Sequence, residues 1–173
     1  RTPSPPSRKT DGSSRTYDYL WNASTVARGS YMNSPSSRWI AETETQIEFF
    51  DLDPMEIVWH GRYVKYLEMV RGVLLDNIDY NYPQMKASGY VWPVIDMHLR
   101  YIAPATFGQR IKLRAQILEW ENRLKIGYLI TDAQSGRRLT RASTTQVAVE
   151  IATREMCFVS PPVLLERMGI APC

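Results

Sequence analysis

Four stretches in the second half of the chain read as strands, and only one stretch ahead of them carries a long helical period. "QRIKLRAQILEW" puts Ile111, Leu113, Ala115 and Ile117 on one face and Lys112, Arg114 and Gln116 on the other. "NRLKIGYLITD" does the same with Leu124, Ile126, Tyr128 and Ile130. A period of two is that of a half-buried strand. Glu121-Asn122 joins these runs as a tight hairpin, and Ala133–Arg138 is a second turn leading into the Thr- and Val-rich "LTRASTTQVAVEIA". "VWPVIDMHLRYIAP" (Val91–Pro104) is long and β-rich. Against these stands one helix. Tyr63, Tyr66, Leu67, Val70 and Leu74 fall at i, i+3, i+4, i+7 and i+11, which predicts a helix over His60–Asp76. A first strand, "TETQIEFF", ends near Asp51, and Tyr82–Gly89 reads as a short helix or turn. "SPPVLLERMG" closes the chain as a helix with Ser160 as its cap and Gly169 as its stop. One helix against long antiparallel strands is an α+β arrangement. That helix covers one sheet face, so the other face or an edge is expected to pair with a second copy.

The chain has 173 residues, 44% of them hydrophobic, enough for one domain with a real core. No apolar run nears the roughly 20 residues of a membrane helix. The opening "RTPSPPSRKTDGSSR" lacks the apolar centre of a secretory signal. Cys157 and Cys173 are far apart and fit neither a disulfide framework nor a zinc knuckle, so they read as reduced thiols of a cytoplasmic protein. Residues 1–38 are rich in Ser, Pro, Thr and Gly and are expected to be a disordered extension ahead of a domain over 39–173. Within the extension, Tyr17, Tyr19, Leu20 and Trp21 form an apolar cluster able to dock, Met32 is a candidate start, and the sequon at Asn22 reads as accidental. Residues 1–40 carry a net charge of +4, leaving −1 for the rest of a chain whose total is +3. A nucleic-acid domain concentrates its positive charge in the folded part, so DNA and RNA are excluded as main partners.

The stretch "IEFFDLDPMEIVWHGRYVKYLE" (Ile47–Glu68) carries the chemistry. Strand, Asp51-Leu52-Asp53-Pro54, a seven-residue step from Asp53 to His60, and a helix follow in that order. This pattern, with "YIAPATFGQRIKL" (Tyr101–Leu113) further on, resembles the hotdog-fold thioesterases, in particular the 4-hydroxybenzoyl-CoA thioesterase and YbgC-like branch. The resemblance covers Glu44 to Gly169. It implies a hotdog fold in which a long-stranded antiparallel sheet wraps one long helix, and a homodimer assembling into a homotetramer. It places Asp53 where the family keeps its catalytic carboxylate, and His60 where a main-chain N–H at the helix start polarises the thioester carbonyl. Trp59, Gly61, Tyr63 and Glu56 then border the substrate. Glu56 stands where many relatives have Gly, which predicts backbone strain if the turn needs a positive φ, or repulsion of Asp53 if its carboxylate enters the site.

The implied reaction is hydrolysis of an acyl-CoA or acyl-carrier-protein thioester without metal or organic cofactor, with Asp53 as general base or as nucleophile. Asp51 reads as turn-forming, His98 as a packed or interface histidine, and Glu68 with Arg71 as a surface ion pair. Arg123, Lys125, Arg137 and Arg138 are candidates for CoA phosphates, though ordinary solvated charge is the simpler account of them. Trp59, Tyr63, Tyr66, Trp92 and Met97 suit an acyl chain or a core. No GxSxG, GxGxxG or P-loop is present. The rival readings are a non-hydrolytic acyl-thioester binding module, a dehydratase pairing His60 with Glu56 or Asp53, and an interaction protein working through its basic tail.

Overall fold

In the computed structural model, residues 37–170 are described. The tail readings at Tyr17–Trp21, Asn22 and Met32, and the thiol of Cys173, lie outside them. The elements run β1 (Ile40–Gln46), α1 (Tyr63–Asn77), α2 (Tyr82–Ala87), β2 (Tyr90–Val91) and β3 (Val94–Tyr101). β4 (Arg110–Glu119), β5 (Leu124–Asp132), β6 (Arg138–Gln146), β7 (Val149–Glu150) and α3 (Pro162–Met168) complete the order. The main sheet is antiparallel in the order β1-β4-β5-β6-β3, with β2 and β7 forming a small second sheet.

The two alternating runs fold as their period requires. Leu113 opposes Ile130, Ala115 opposes Tyr128 and Ile117 opposes Ile126, all buried beneath α1. The expected helix face, Tyr63, Tyr66, Leu67, Val70 and Leu74, is the buried face of α1, with Leu75 added. Ala41 pairs with Ala115 where α1 crosses β1 and β4, and such small side chains let a helix settle close to a sheet.

Several boundaries differ from expectation. β1 ends at Gln46, because Phe49–Asp51 turns into a 3₁₀ segment in which the Asp51 carboxylate accepts from the Glu48 N–H at 3.2 Å. Val91–Pro104 is broken into β2 and β3, since Pro93 has no N–H for a ladder and Trp92 turns inward against Tyr80, their rings 6.5 Å apart. Ser160 does not cap α3: Pro161 is the capping residue, and Ser160 is buried with its hydroxyl unbonded among the described residues. Gly169 stops α3 in the left-handed conformation, φ 74°, as expected. Arg71 is no surface residue. It is 5% exposed, and its guanidinium reaches Gln146 Oε1 at 2.5 Å as well as Glu68 at 2.6 and 2.8 Å, with the Tyr82 hydroxyl bonded to both Arg71 and Glu68. A buried guanidinium demands such partners. Its stem lies on the apolar face, and the helical period alone could not show that the charge follows it inward.

The two sheet edges differ in kind. On the outward face of β1, Glu42 pairs with Lys112 at 2.7 Å and Arg114 at 2.9 Å, and Glu44 with Arg110 at 3.3 Å. β3, at the opposite edge, exposes Ile95, Met97 and Tyr101.

Candidate active site

The segment after β1 folds back on itself as a small hairpin. Leu52 bridges Val58, the Asp53 N–H donates to Ile57 O at 2.9 Å, and the Glu56 N–H donates to Asp53 O at 2.9 Å. A Pro after the first turn position and a left-handed residue at its end define a short hairpin loop of this kind. Glu56 is that residue, at φ 62°, where glycine is at ease and a β-carbon is not. The strain foreseen for Glu56 is therefore present, while Asp53 still closes the turn. One Asp53 carboxylate oxygen accepts the Met55 N–H at 2.8 Å, which fixes its orientation. The second arm of the hairpin is pinned to the loop before β4: Ile57 bridges Thr106 and the Val58 N–H donates to Ala105 O at 2.9 Å.

Asp51, 3% exposed, fastens this hairpin to the helix start. Its carboxylate meets Arg62 Nε at 2.7 Å and accepts from the Tyr66 hydroxyl at 2.7 Å, while its carbonyl accepts the Trp59 N–H at 2.9 Å. Burial, and then the bond to that carboxylate, push the Tyr66 phenol far above its usual range, so it stays a donor. Arg62 also donates to Phe50 O at 2.9 Å and lies 5.6 Å from the Phe50 ring centre. Sequence reasoning gave Asp51 a turn role but missed Tyr66 and Arg62 as its partners. Their positions, on the helix face that meets the turn, were the available signal.

The helix opens as a 3₁₀ turn, His60–Arg62, and continues as α1. No side chain caps either start. Arg62 is the first residue of the turn to donate, to Trp59 O at 2.8 Å, and the N–H groups of His60 and Gly61 find no acceptor among the described residues. Glycine at 61 lets the indole sit where it does: a β-carbon there would come 2.4 Å from the Trp59 ring. The Trp59 indole thus lies over Gly61, 51% exposed, with the His60 ring 5.2 Å away. The His60 carbonyl accepts from the Tyr101 hydroxyl at 2.9 Å, and Tyr101 stacks edge-on against Tyr63 at 5.2 Å. Tyr101 was not foreseen, since nothing in a strand pattern says which residue reaches another element.

The structure sorts the remaining expectations. Asp53, Trp59, His60 and Gly61 belong to one hairpin-to-helix unit, with Glu56 exposed at its tip. Tyr63, 3% exposed, lies beneath this unit, and Tyr66 and Trp92 are core residues, whereas Trp59 and Met97 remain open. Arg123 is engaged by Glu119 at 2.8 Å. Among the described residues no cluster of three His, Cys, Asp or Glu could hold a metal ion, and no helix is long and apolar enough to cross a membrane.

Residues 47–168 match the model of the thioesterase-like superfamily, and the chain belongs to that family. It is 24% identical over 115 residues to the long-chain acyl-CoA thioesterase FadM of Escherichia coli, covering 66% of this chain and 86% of FadM. Its fold is shared with the 1,4-dihydroxy-2-naphthoyl-CoA thioesterase Slr0204 from Synechocystis, at a TM-score of 0.67 and 20% identity over 75% of this chain and 96% of that one. A Staphylococcus aureus protein solved in complex with CoA is also similar, with a TM-score of 0.68 and 11% identity over 75% of this chain and 82% of its own. The sheet and long helix are thus those of a hotdog fold.

Proposed function

We propose that the protein hydrolyses an acyl thioester, of CoA or of a carrier protein, to the free acid and thiol, and that it stands in the YbgC-like branch of its family. The observation that carries this reading is the open helix start: two N–H groups, His60 and Gly61, without acceptors, set directly after the hairpin that bears Asp53. As the thioester is attacked, its carbonyl oxygen gains negative charge. Uncapped amides and the positive end of a 15-residue helix stabilise that charge without rearrangement. One such donor is worth about 100- to 1000-fold in rate.

Asp53 supplies the other half. Held by the Met55 N–H, its carboxylate either deprotonates the attacking water or attacks the thioester carbon itself, expelling the thiolate to leave a mixed anhydride that water cleaves. Trp59 offers an exposed apolar face for the acyl group. CoA as the thiol is supported by the names of the relatives and by the neighbour that holds it. Two copies joined along β3 form the working unit, with a tetramer built from such pairs. The exposed apolar side chains of β3, Ile95, Met97 and Tyr101, and the charged outer face of β1 support that choice of edge. The cytoplasm, where Cys157 stays reduced, is the setting that suits this chemistry.

The test is thiol release from a panel of acyl-CoAs, acetyl through palmitoyl with benzoyl and hydroxybenzoyl, run beside Asp53→Asn. The expected result is turnover by the parent and a fall of about 10²- to 10⁴-fold or more in the variant. Undiminished turnover in Asp53→Asn removes Asp53 from the mechanism. A parent inert toward every CoA and carrier-protein ester removes hydrolysis.

A further inference from the structure

The middle of β3 reads Asp96-Met97-His98-Leu99-Arg100, with one acid and one base placed symmetrically about a histidine. Tyr101 packs on Tyr63 of α1 and Leu99 packs against the core, so Met97, Leu99 and Tyr101 share the helix side of the sheet. Asp96, His98 and Arg100 share the other side. All three are exposed, and none of their side chains forms an ion pair or hydrogen bond with a described residue. On the neighbouring strand they face Thr145, Ser143 and Arg141 in turn, so Arg100 stands opposite a second cation.

The backbone adds a constraint. Ile102 donates to Leu139 O at 2.8 Å, in register with the pairs Arg100 to Arg141 and His98 to Ser143. Antiparallel ladders alternate, so even-numbered residues spend their amides on β6, and Met97, Leu99 and Tyr101 turn theirs to the open edge. Two copies of this edge related by a two-fold axis normal to the sheet pair antiparallel, and the axis must pass through a residue for the faces to match. An axis at Leu99 sets His98 against the partner's Arg100 and leaves Asp96 without a cation. An axis at Met97 sets Asp96 against the partner's His98 and Arg100 against the partner's Val94, with no carboxylate across the edge. An axis at His98 matches Asp96 with the partner's Arg100, Arg100 with the partner's Asp96, and Met97 with the partner's Leu99.

We infer that β3 joins its copy with His98 on the two-fold axis, each Asp96 paired with the Arg100 of the partner subunit. This rests on the homodimer reading above and is independent of the hydrolase reading. It also carries the partner into the site. Counting outward from His98, Tyr101, which holds the His60 carbonyl, comes beside the partner's Ile95, a residue 59% exposed in the single protomer. The partner's Ile95, at the register shift between Val94 and Asp96, thus brings an apolar side chain to the helix start and bears on which acyl groups fit.

The register is tested in the full chain with Cys157→Ser and Cys173→Ser, by adding His98→Cys, Met97→Cys or Leu99→Cys singly and oxidising. An on-axis pair in this part of the ladder has its Cα atoms about 4.5 Å apart, within disulfide reach. His98→Cys is expected to give a dimer on a non-reducing gel that a reductant reverses, with little from the other two. In parallel, sedimentation measures Asp96→Arg, Arg100→Asp and the double swap. Each single change sets like charges opposite each other twice and is expected to raise the dimer Kd about tenfold or more, while the double swap restores it. Cross-linking through Met97→Cys or Leu99→Cys in place of His98→Cys, or a double swap as weak as the singles, overturns the register. A monomeric parent overturns the interface, whatever its thioesterase activity.

Discussion

Glu56→Gly isolates the cost of a single backbone conformation. At φ 62° a residue with a β-carbon is disfavoured by roughly 1–2 kcal/mol relative to glycine. Glycine returns part of that gain, because its unfolded chain is freer by about 0.5–1 kcal/mol. The net expectation is a stabilisation of about 1 kcal/mol, or on the order of 3 °C in Tm for a chain of this size. Glu56 is exposed and its side chain makes no hydrogen bond with a described residue, so no lost contact competes with the gain. Thermal and denaturant unfolding, at one protein concentration, would measure it. Glu56→Ala is the control, since it removes the carboxylate and keeps the β-carbon, and should move stability by less than about 0.5 kcal/mol. Equal gains in the two variants would assign the effect to charge. A loss in Glu56→Gly would refute the account of the turn.

Asp51→Asn removes a buried charge that serves both Arg62 and Tyr66, and should cost about 1.5–3 kcal/mol in chemical denaturation. Gly61→Ala drives a β-carbon into the Trp59 ring, so the indole must leave its seat; its fluorescence should shift, and acyl-CoA turnover should fall more than stability does. Burial works against ionisation of Glu68, but bonds from Arg71 and Tyr82 outweigh it and hold its carboxyl below the ordinary 4.5. A depressed folded value means the unfolded chain takes up the proton first as pH falls. The stabilisation is therefore complete above about 4.5 and fades below it toward the folded value, so acid unfolding of Glu68→Gln should lose less stability across that window than the parent does.

The legible parts of this fold were those written as a period. Ile111 to Ile117 and Leu124 to Ile130 could only be strands facing a core, and the Tyr63 to Leu74 spacing could only be a helix lying on them. The hairpin at Asp53 was legible as a turn through its proline, and Glu56 was legible as a misfit there. What the residues did not disclose were contacts between elements. Arg71 turning inward to Gln146, Tyr101 reaching back to His60, and Asp51 serving as a clamp all depend on distances across the fold that a linear pattern does not encode. Ser160 misled for a related reason: Pro161 occupies the capping position and leaves the serine hydroxyl one residue too early.

The ladder of Glu42 and Glu44 with Lys112, Arg114 and Arg110 has a bearing on how far this sheet can extend. A β-sheet grows for as long as both of its borders accept a newcomer. Here one border strand carries charged side chains, Glu42 and Glu44, a feature that discourages the addition of a further strand. The two sheet borders are therefore unequal: an arriving strand finds the exposed apolar side chains of β3 on one side and charge on the other, and this asymmetry works against open-ended growth of the sheet.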